Sequence, residues 1–340
     1  MRSVQAQPDE ADVCVIIAAR NAEATIATAV ASALRQPEVA EVIVVDDAST
    51  DRTSAVAEAA GDGSGRLKLL RLTRNAGPAA ARNAALAVAT ARLLCVLDAD
   101  DYFLDGRLGR LLAAPRSWDL IADDIVLVRG NAATVAGLVT GPGQPLRLSL
   151  AAFVAGNIGR AGEHRRELGF LKPIMRRSFL QRHGLRYDER LRLGEDYALY
   201  VEALAAGAVF AVTAPCGYVA IERADSLSAQ HRTDDLGAII TFDDAMIAQS
   251  GLAPDARKAL RAHRDATMRK WQHRRVLDRR RSHGYAAALR ELLHAPRAWR
   301  HILSETLAAK LARLVPDRAP EGDGAPRLLL GPGPLLRPAR

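Results

Sequence analysis

Residues 13–50 read VCVIIAARNAEATIATAVASALRQPEVAEVIVVDDAST. Two short β-branched runs, VCVIIA (13–18) and EVIVV (41–45), flank an Ala-rich segment that opens at Asn21, a helix-start residue. Neither run alternates apolar with polar positions, so both suit strands buried on both faces, as in a parallel sheet covered by helices. The rhythm continues with RLKLLRL (66–72) and RLLCVL (92–97) as further strands. Ser49 and Thr50 open the helical DRTSAVAEAA between them, and Gly77-Pro78 open AAARNAALAVAT. Strand and helix alternating at intervals of about 25 residues predict a doubly wound, mostly parallel α/β sheet.

Such sheets bind ligands beyond the carboxyl ends of their strands. Three polar clusters fall there: AARN (18–21), DDAST (46–50) and DADD (98–101). In the last, Asp98, Asp100 and Asp101 end an apolar run. Carboxylates so close repel one another and are normally accompanied by a cation; oxygen-only ligands favour Mg²⁺ or Mn²⁺, ions that hold substrate phosphates. The plainer reading is a solvated acidic turn that caps a helix. Asp47 would share the same sheet edge, placed to accept a hydrogen bond from a base or ribose. Arg74 and Arg82 offer donors to the crevice, and Pro78 starts a helix whose free N–H groups suit an anion. Taken singly, Asp46 and Asp47 also read as caps and Arg82 as a solvated helix residue. In this order and spacing they describe a nucleoside-diphosphate pocket.

The chain of 340 residues is 49 % hydrophobic and can bury a sizeable core. Its longest uncharged run, residues 203–221, is broken by Gly207, Pro215 and Gly217, which argues against a membrane span. The start, MRSVQAQPDEADV, lacks the apolar stretch of a secretory signal, and the expected location is cytoplasmic. Cys14, Cys95 and Cys216 read as reduced, buried thiols. The net charge of +8 is uneven: residues 251–315 carry 16 Lys/Arg against 5 Asp/Glu, so the basic character belongs to a helical C-terminal appendage.

VCVIIAARNAEATIATAVASAL, EVIVVDDASTDRT, RNAGPAAARNAAL and LLCVLDADDYF resemble, in order, the nucleotide-binding half of family 2 glycosyltransferases with the GT-A fold. The resemblance covers about residues 12–110 and continues more weakly to about 235. It implies that Asp47 contacts uracil, that the loop Ala18–Asn21 lines the base pocket, and that Arg74, Asn75, Gly77 and Arg82 meet the donor. Asp98 and Asp100 become the D-x-D that faces ribose and metal. One departure is AARN, where many members have Pro and an aromatic residue; Arg20 then takes the aromatic's place over the base.

The implied domain plan is a flexible start (1–11), a nucleotide-sugar half (12–130), an acceptor half (131–250), a basic helical region (251–315) and a flexible Pro/Gly-rich tail (316–340). WDLIADDIVLV (118–128) reads as one strand. In LGEDYALYVEAL, Glu195 and Asp196 precede an amphipathic helix and match the family's E-D motif, whose aspartate is the proposed base; a helix N-cap pair is the plainer alternative. The reaction implied is an inverting displacement in which a metal stabilises the departing diphosphate. His231 in SLSAQHR is a further metal-ligand candidate, although surface histidines are commoner. Lys172, Arg176 and Arg177 in LKPIMRR read either as contacts for a lipid diphosphate or as ordinary solvated charge.

LGFLKP, LGEDYALY and DSLSAQH together look like bacterial exopolysaccharide glycosyltransferases of the succinoglycan type. That resemblance implies a UDP-glucose donor and a polyprenyl-diphosphate-linked oligosaccharide acceptor at the inner face of the plasma membrane. The Arg-rich residues 257–281 and 289–315, with Trp271, Leu293, Trp299 and Ile302, suit an interfacial helix on an anionic membrane surface; a plain helical cap is the alternative. No nucleic-acid module accompanies the charge. Of the rivals, a nucleotidyltransferase wants a Gly-rich phosphate loop that AARNAEA lacks. A non-catalytic saccharide-binding protein at the membrane surface fits less well while both acidic motifs are present. A receiver domain would place its acidic pair after the first strand.

Overall fold

The computed structural model describes residues 12–115, 117–129, 135–159, 166–222, 232–293 and 325–331. The quoted stretch forms β1 (Val13–Ala19), α1 (Ile26–Leu34) and β2 (Val39–Asp46). It is followed by α2 (Thr53–Ala59), β3 (Leu67–Arg71), α3 (Pro78–Val88), β4 (Leu93–Val96), β5 (Tyr102–Phe103) and α4 (Arg107–Leu112). The second half adds β6 (Leu120–Asp123), β7 (Val126–Val128), β8 (Leu146–Leu148), α5 (Leu150–Ala155), β9 (Ile174–Arg176), α6 (Arg177–Arg182), α7 (Glu195–Ala205), β10 (Phe210–Thr213) and β11 (Tyr218–Ile221). Last come α8 (Thr233–Ala248), α9 (Pro254–Leu293) and β12 (Arg327–Leu328).

The main sheet runs β3-β2-β1-β4-β9-β6-β10-β8. β1 pairs in parallel with β2 and β4, and β2 with β3, as the apolar runs required. β9 is antiparallel to both β4 and β6, so β6 and β10 keep the direction of the first four strands. All the carboxyl ends in question therefore open on one edge. Val13–Ile17 and Val42–Val45 are fully buried, which is why no polar residue interrupts them. Among the described residues no helix is long and apolar enough to cross a membrane.

A second sheet, β12-β7-β11-β5, caps that edge. Residues 118–128, expected as one strand, divide between the two sheets at Asp123-Asp124. Both carboxylates are buried and bonded inward: Asp123 takes Arg107 Nη2 at 2.6 Å and Cys216 N at 3.0 Å, while Asp124 takes Leu330 N at 2.9 Å. Two consecutive buried acids pulling toward different partners bend the chain there. The expected flexible tail also needs correction: β12 pairs antiparallel with β7, and Leu329 and Leu330 are buried against the core. The three cysteines are free and buried, as expected.

Candidate active site

Three loops at the carboxyl edge are stitched together by their own polar groups. Asn21, in the left-handed region at φ 49°, accepts Thr50 N–H at 2.9 Å, and its own N–H donates to Ser49 Oγ at 2.9 Å. Asp46 is fully buried and accepts Ser49 N–H at 2.8 Å, the capping reading. Asp47 accepts the backbone N–H groups of Ala76 (2.7 Å) and Gly77 (2.9 Å), so it pins the β3–α3 loop to the end of β2. Arg20, Arg74 and Asn75 are exposed around this platform, with Ala18 half-buried beneath. A shallow cleft of about 480 Å³ opens beside it, lined by Ala48 and Ser49 of the DDAST cluster and by Arg71, Leu72 and Thr73, which the motifs had not pointed to as site residues.

Deeper in, four distant segments deliver five charges to one point. Arg82, one turn into α3, is 4 % exposed and donates to Asp98 Oδ1 (2.9 Å), Glu195 Oε1 (2.5 Å) and Asp196 Oδ1 (3.1 Å). Lys172, just before β9, is also buried and reaches Asp98 Oδ2 (2.9 Å) and Asp196 Oδ2 (2.7 Å). Three carboxylates thus share two cations in a site whose low polarity magnifies each attraction. Burial pushes the Asp98 carboxyl upward, but Lys172 and Arg82 outweigh it and hold it at about 2. Burial lifts Glu195 above its ordinary value, partly offset by Arg82 and reinforced by Asp196. Burial opposes the charge on Lys172, but Asp196 and Asp98 overcome it and keep the amine protonated.

The local sequence explains the placement. Gly194 sits at φ 81° ahead of α7, where a Cβ would lie 3.2 Å from Ile239 Cδ1; glycine lets the chain turn sharply enough to aim Glu195 and Asp196 inward. As the first residues of α7, both carboxylates also face the positive end of the helix. Tyr200 Oη on α7 donates to Leu171 O at 3.1 Å and steadies the segment that presents Lys172. The Arg82 guanidinium lies 5.4 Å from the centre of the buried Tyr187 ring. α7 is itself anchored: Tyr197 Oη donates to Asp243 Oδ1 (2.9 Å) on α8 and lies 3.1 Å from His263 Nδ1 on α9, which is 2.7 Å from Asp243 Oδ2.

Asp101 turns away from this cluster. It is buried and accepts Tyr218 Oη (2.8 Å) and Ile221 N–H (3.0 Å), so it fastens the acidic loop to β11. Burial, aided by the charges of Asp98 and Asp100, pushes its carboxyl well above the ordinary range. Among the described residues no three His, Cys, Asp or Glu side chains gather as a cage for a metal. The donor set still fits a hard cation that draws most ligands from phosphate and water. Asp100 would hold it, with Asp98 contributing through the lone pairs its cations leave. His231 lies outside the described residues.

The structure brings together Arg82, Asp98, Glu195 and Asp196 as the motifs implied, and corrects the reading of Lys172, Arg176 and Arg177. Lys172 is buried and ion-paired with Asp98 and Asp196, so it is not ordinary solvated charge. Arg176 and Arg177 bind the carbonyls of Trp118 and of Thr90 and Ala91, near the start of β4 and away from the site. The signal for Lys172 was a lone charge inside the apolar run LKPIM, which demands a buried partner.

The family model "Glycosyl transferase family 2" matches residues 14–138. The chain is 48 % identical over 325 residues to the succinoglycan biosynthesis protein ExoU of Rhizobium meliloti (strain 1021), covering 95 % of this chain and 93 % of ExoU. It is 38 % identical over 97 residues, 28 % of this chain and 38 % of the other, to WfaP of Escherichia coli, a UDP-Glc:alpha-D-GlcNAc-diphosphoundecaprenol beta-1,3-glucosyltransferase. Among solved structures, TarS 1-349 of S. aureus in complex with UDP-GlcNAc superposes with TM-score 0.56 at 21 % identity, over 80 % of this chain and 74 % of that one. The mannosyltransferase PcManGT of Pyrobaculum calidifontis, in complex with GDP-Man and Mn²⁺, gives 0.54 at 18 % identity, over 91 % and 88 %.

Proposed function

The chain belongs to glycosyl transferase family 2 and is a glycosyltransferase, and from that premise we propose that it transfers glucose from UDP-glucose, with inversion, to a hydroxyl of a polyprenyl-diphosphate-linked oligosaccharide in the synthesis of a succinoglycan-type exopolysaccharide. The observation that carries the reading is the charge cluster joining Asp98, at the donor end of β4, to Glu195 and Asp196 at the head of α7 through Arg82 and Lys172. On this reading the cluster joins the donor end of the site to the proposed base. The relatives named for succinoglycan and for a diphosphoundecaprenol-linked acceptor support the substrate class.

In this reading the platform built by Asn21, Asp47 and the β3–α3 loop receives the nucleoside, with Ala18 beneath it and Arg20, Arg74, Asn75 and Gly77 around it. Asp98 faces the ribose. Asp100 and Asp98 would hold a Mg²⁺ or Mn²⁺ ion, whose charge would stabilise the departing diphosphate. Asp196 takes the proton of the acceptor hydroxyl. Each of its oxygens is held by one cation and retains a second lone pair, so Lys172 and Arg82 fix the plane of the carboxylate without consuming it. Glu195 shares Arg82 and keeps that guanidinium in place. The enzyme works at the inner face of the plasma membrane, where a lipid-linked acceptor resides.

Transfer assays with a panel of nucleotide sugars, with Mg²⁺, with Mn²⁺ and with EDTA, test this. UDP-glucose is expected to be the preferred donor, and Asp196→Asn to lower kcat by about 100- to 10,000-fold with the donor KM nearly unchanged. Full turnover by Asp196→Asn would remove the assigned base, and undiminished turnover in EDTA would remove the role of Asp100.

A further inference from the structure

On the last stretch of α9, Tyr285, Leu289 and Leu293 are not covered by any of the described residues. Tyr285, Leu289 and Leu293 are 80 %, 58 % and 58 % exposed, and their spacing of four residues puts them in one stripe along a helix. The other large apolar side chains exposed among the described residues, Val88 and Leu146, lie singly elsewhere. The stripe is presented by a reversal of the chain. Gly284 adopts φ 78° and ψ −175°, which breaks the helix. Arg275 Nη2 then meets Glu291 Oε1 at 2.7 Å, although sixteen residues of unbroken helix would separate them by about 24 Å. The last turns therefore fold back on the preceding ones, Ala288 faces inward, and the stripe is the outer surface of a helical hairpin.

The surroundings of the stripe are cationic. Arg279, Arg280 and Arg281 are exposed at the bend, Arg290 is exposed beside Leu289, and the Arg280 guanidinium lies 5.7 Å from the centre of the Tyr285 ring. The nearby acids are engaged: Glu291 with Arg275 and Arg279, and Asp278 with the Thr233 hydroxyl. Trp271, an anchor in the sequence reading, is instead half-buried with Arg275 over its ring at 4.6 Å; Trp299 and Ile302 lie outside the described residues. An apolar ridge with an arginine rim complements a lipid surface whose headgroups are anionic.

We propose that the Tyr285–Leu289–Leu293 ridge of this hairpin docks the enzyme on an anionic bilayer, the aliphatic side chains entering the headgroup boundary while Arg280 and Arg281 pair with lipid phosphates. The proposal rests on the reading of the acceptor as lipid-borne, and it names the surface that would bring the enzyme to it. Flotation of the full chain with phosphatidylcholine vesicles, with and without phosphatidylglycerol, tests it. Retention is expected to require phosphatidylglycerol and to fall as salt rises. The triple variant Tyr285→Ser/Leu289→Ser/Leu293→Ser should lose at least about tenfold in vesicle affinity, and Arg280→Gln/Arg281→Gln roughly tenfold. Both should keep the wild-type melting temperature and wild-type turnover of a water-soluble acceptor. Equal retention of the triple variant, or retention indifferent to phosphatidylglycerol, overturns the proposal. So does a triple variant that changes from dimer to monomer with vesicle retention unaltered, since the ridge would then be a self-contact. Absence of turnover by the wild type on any soluble acceptor would count against the glycosyl-transfer reading and leave the flotation result standing.

Discussion

Arg82 shows how much one side chain carries. Its planar guanidinium touches three carboxylates from two segments about a hundred residues apart, a geometry that a lysine, as a point donor, cannot reproduce. Arg82→Lys is therefore expected to destabilise the fold by about 3 kcal/mol, because buried acids lose a partner, and to reduce turnover; chemical denaturation and transfer assays read the two effects separately. The motif around Arg82 was legible in RNAGPAAARN, but its bonds were not, since Asp98, Glu195 and Asp196 meet it only after the sheet has been assembled. Asp47 gives the opposite case. Its position on the carboxyl edge could be read directly from the strand it follows, whereas its bonds to the Ala76 and Gly77 amides could not, because backbone groups leave no mark in a sequence.

At the scale of elements, α7 is held from behind as well as from the front. Phe153 on α5 stacks on Tyr197 at 6.0 Å between ring centres, Phe242 on α8 meets the ring edge-on at 6.0 Å, and His263 on α9 packs against it at 4.5 Å. The basic helical region thus begins with a turn that locks the helix bearing Asp196. His263→Ala leaves Asp243 buried with one partner fewer, and should lower stability by about 1–3 kcal/mol. Differential scanning calorimetry checks it; a variant melting with the wild type would mean that the triad contributes nothing to anchoring α7. Runs of strand and helix up to β4 were legible because each is a local pattern of one period. β9, β11 and the division of residues 118–128 were not, because short strands in mixed sheets are defined by distant neighbours rather than by their own alternation.

Across the whole molecule, the feature least visible in the sequence is the closure of the small sheet by β12. Pro and Gly around GAPRLLLGPG argue for a loose tail, yet Leu329 and Leu330 complete a core that begins at residue 13. Closure buries Asp124, and that burial raises its carboxyl from the ordinary 3.8 to about 6. An acid so raised supports the fold fully below its unfolded value and loses that support as pH rises through about 6. Asp124→Asn keeps an acceptor for Leu330 and cannot ionise. It is expected to stabilise the protein at pH 8 by about 1–3 kcal/mol and to flatten the dependence between pH 4 and pH 6, as measured by urea melts across that range. The sequence separation adds a consequence in time. Leu330 follows Asp124 by 206 residues, and a ribosome needs roughly 10–40 s to make that length. During that interval the nascent β7 has an unpaired edge that could recruit strands from neighbouring polysomes, and an uncovered Asp124 is ionised. The carboxylate that weakens the finished sheet at neutral pH is, until then, a charge that keeps the open edge from pairing with the wrong chain.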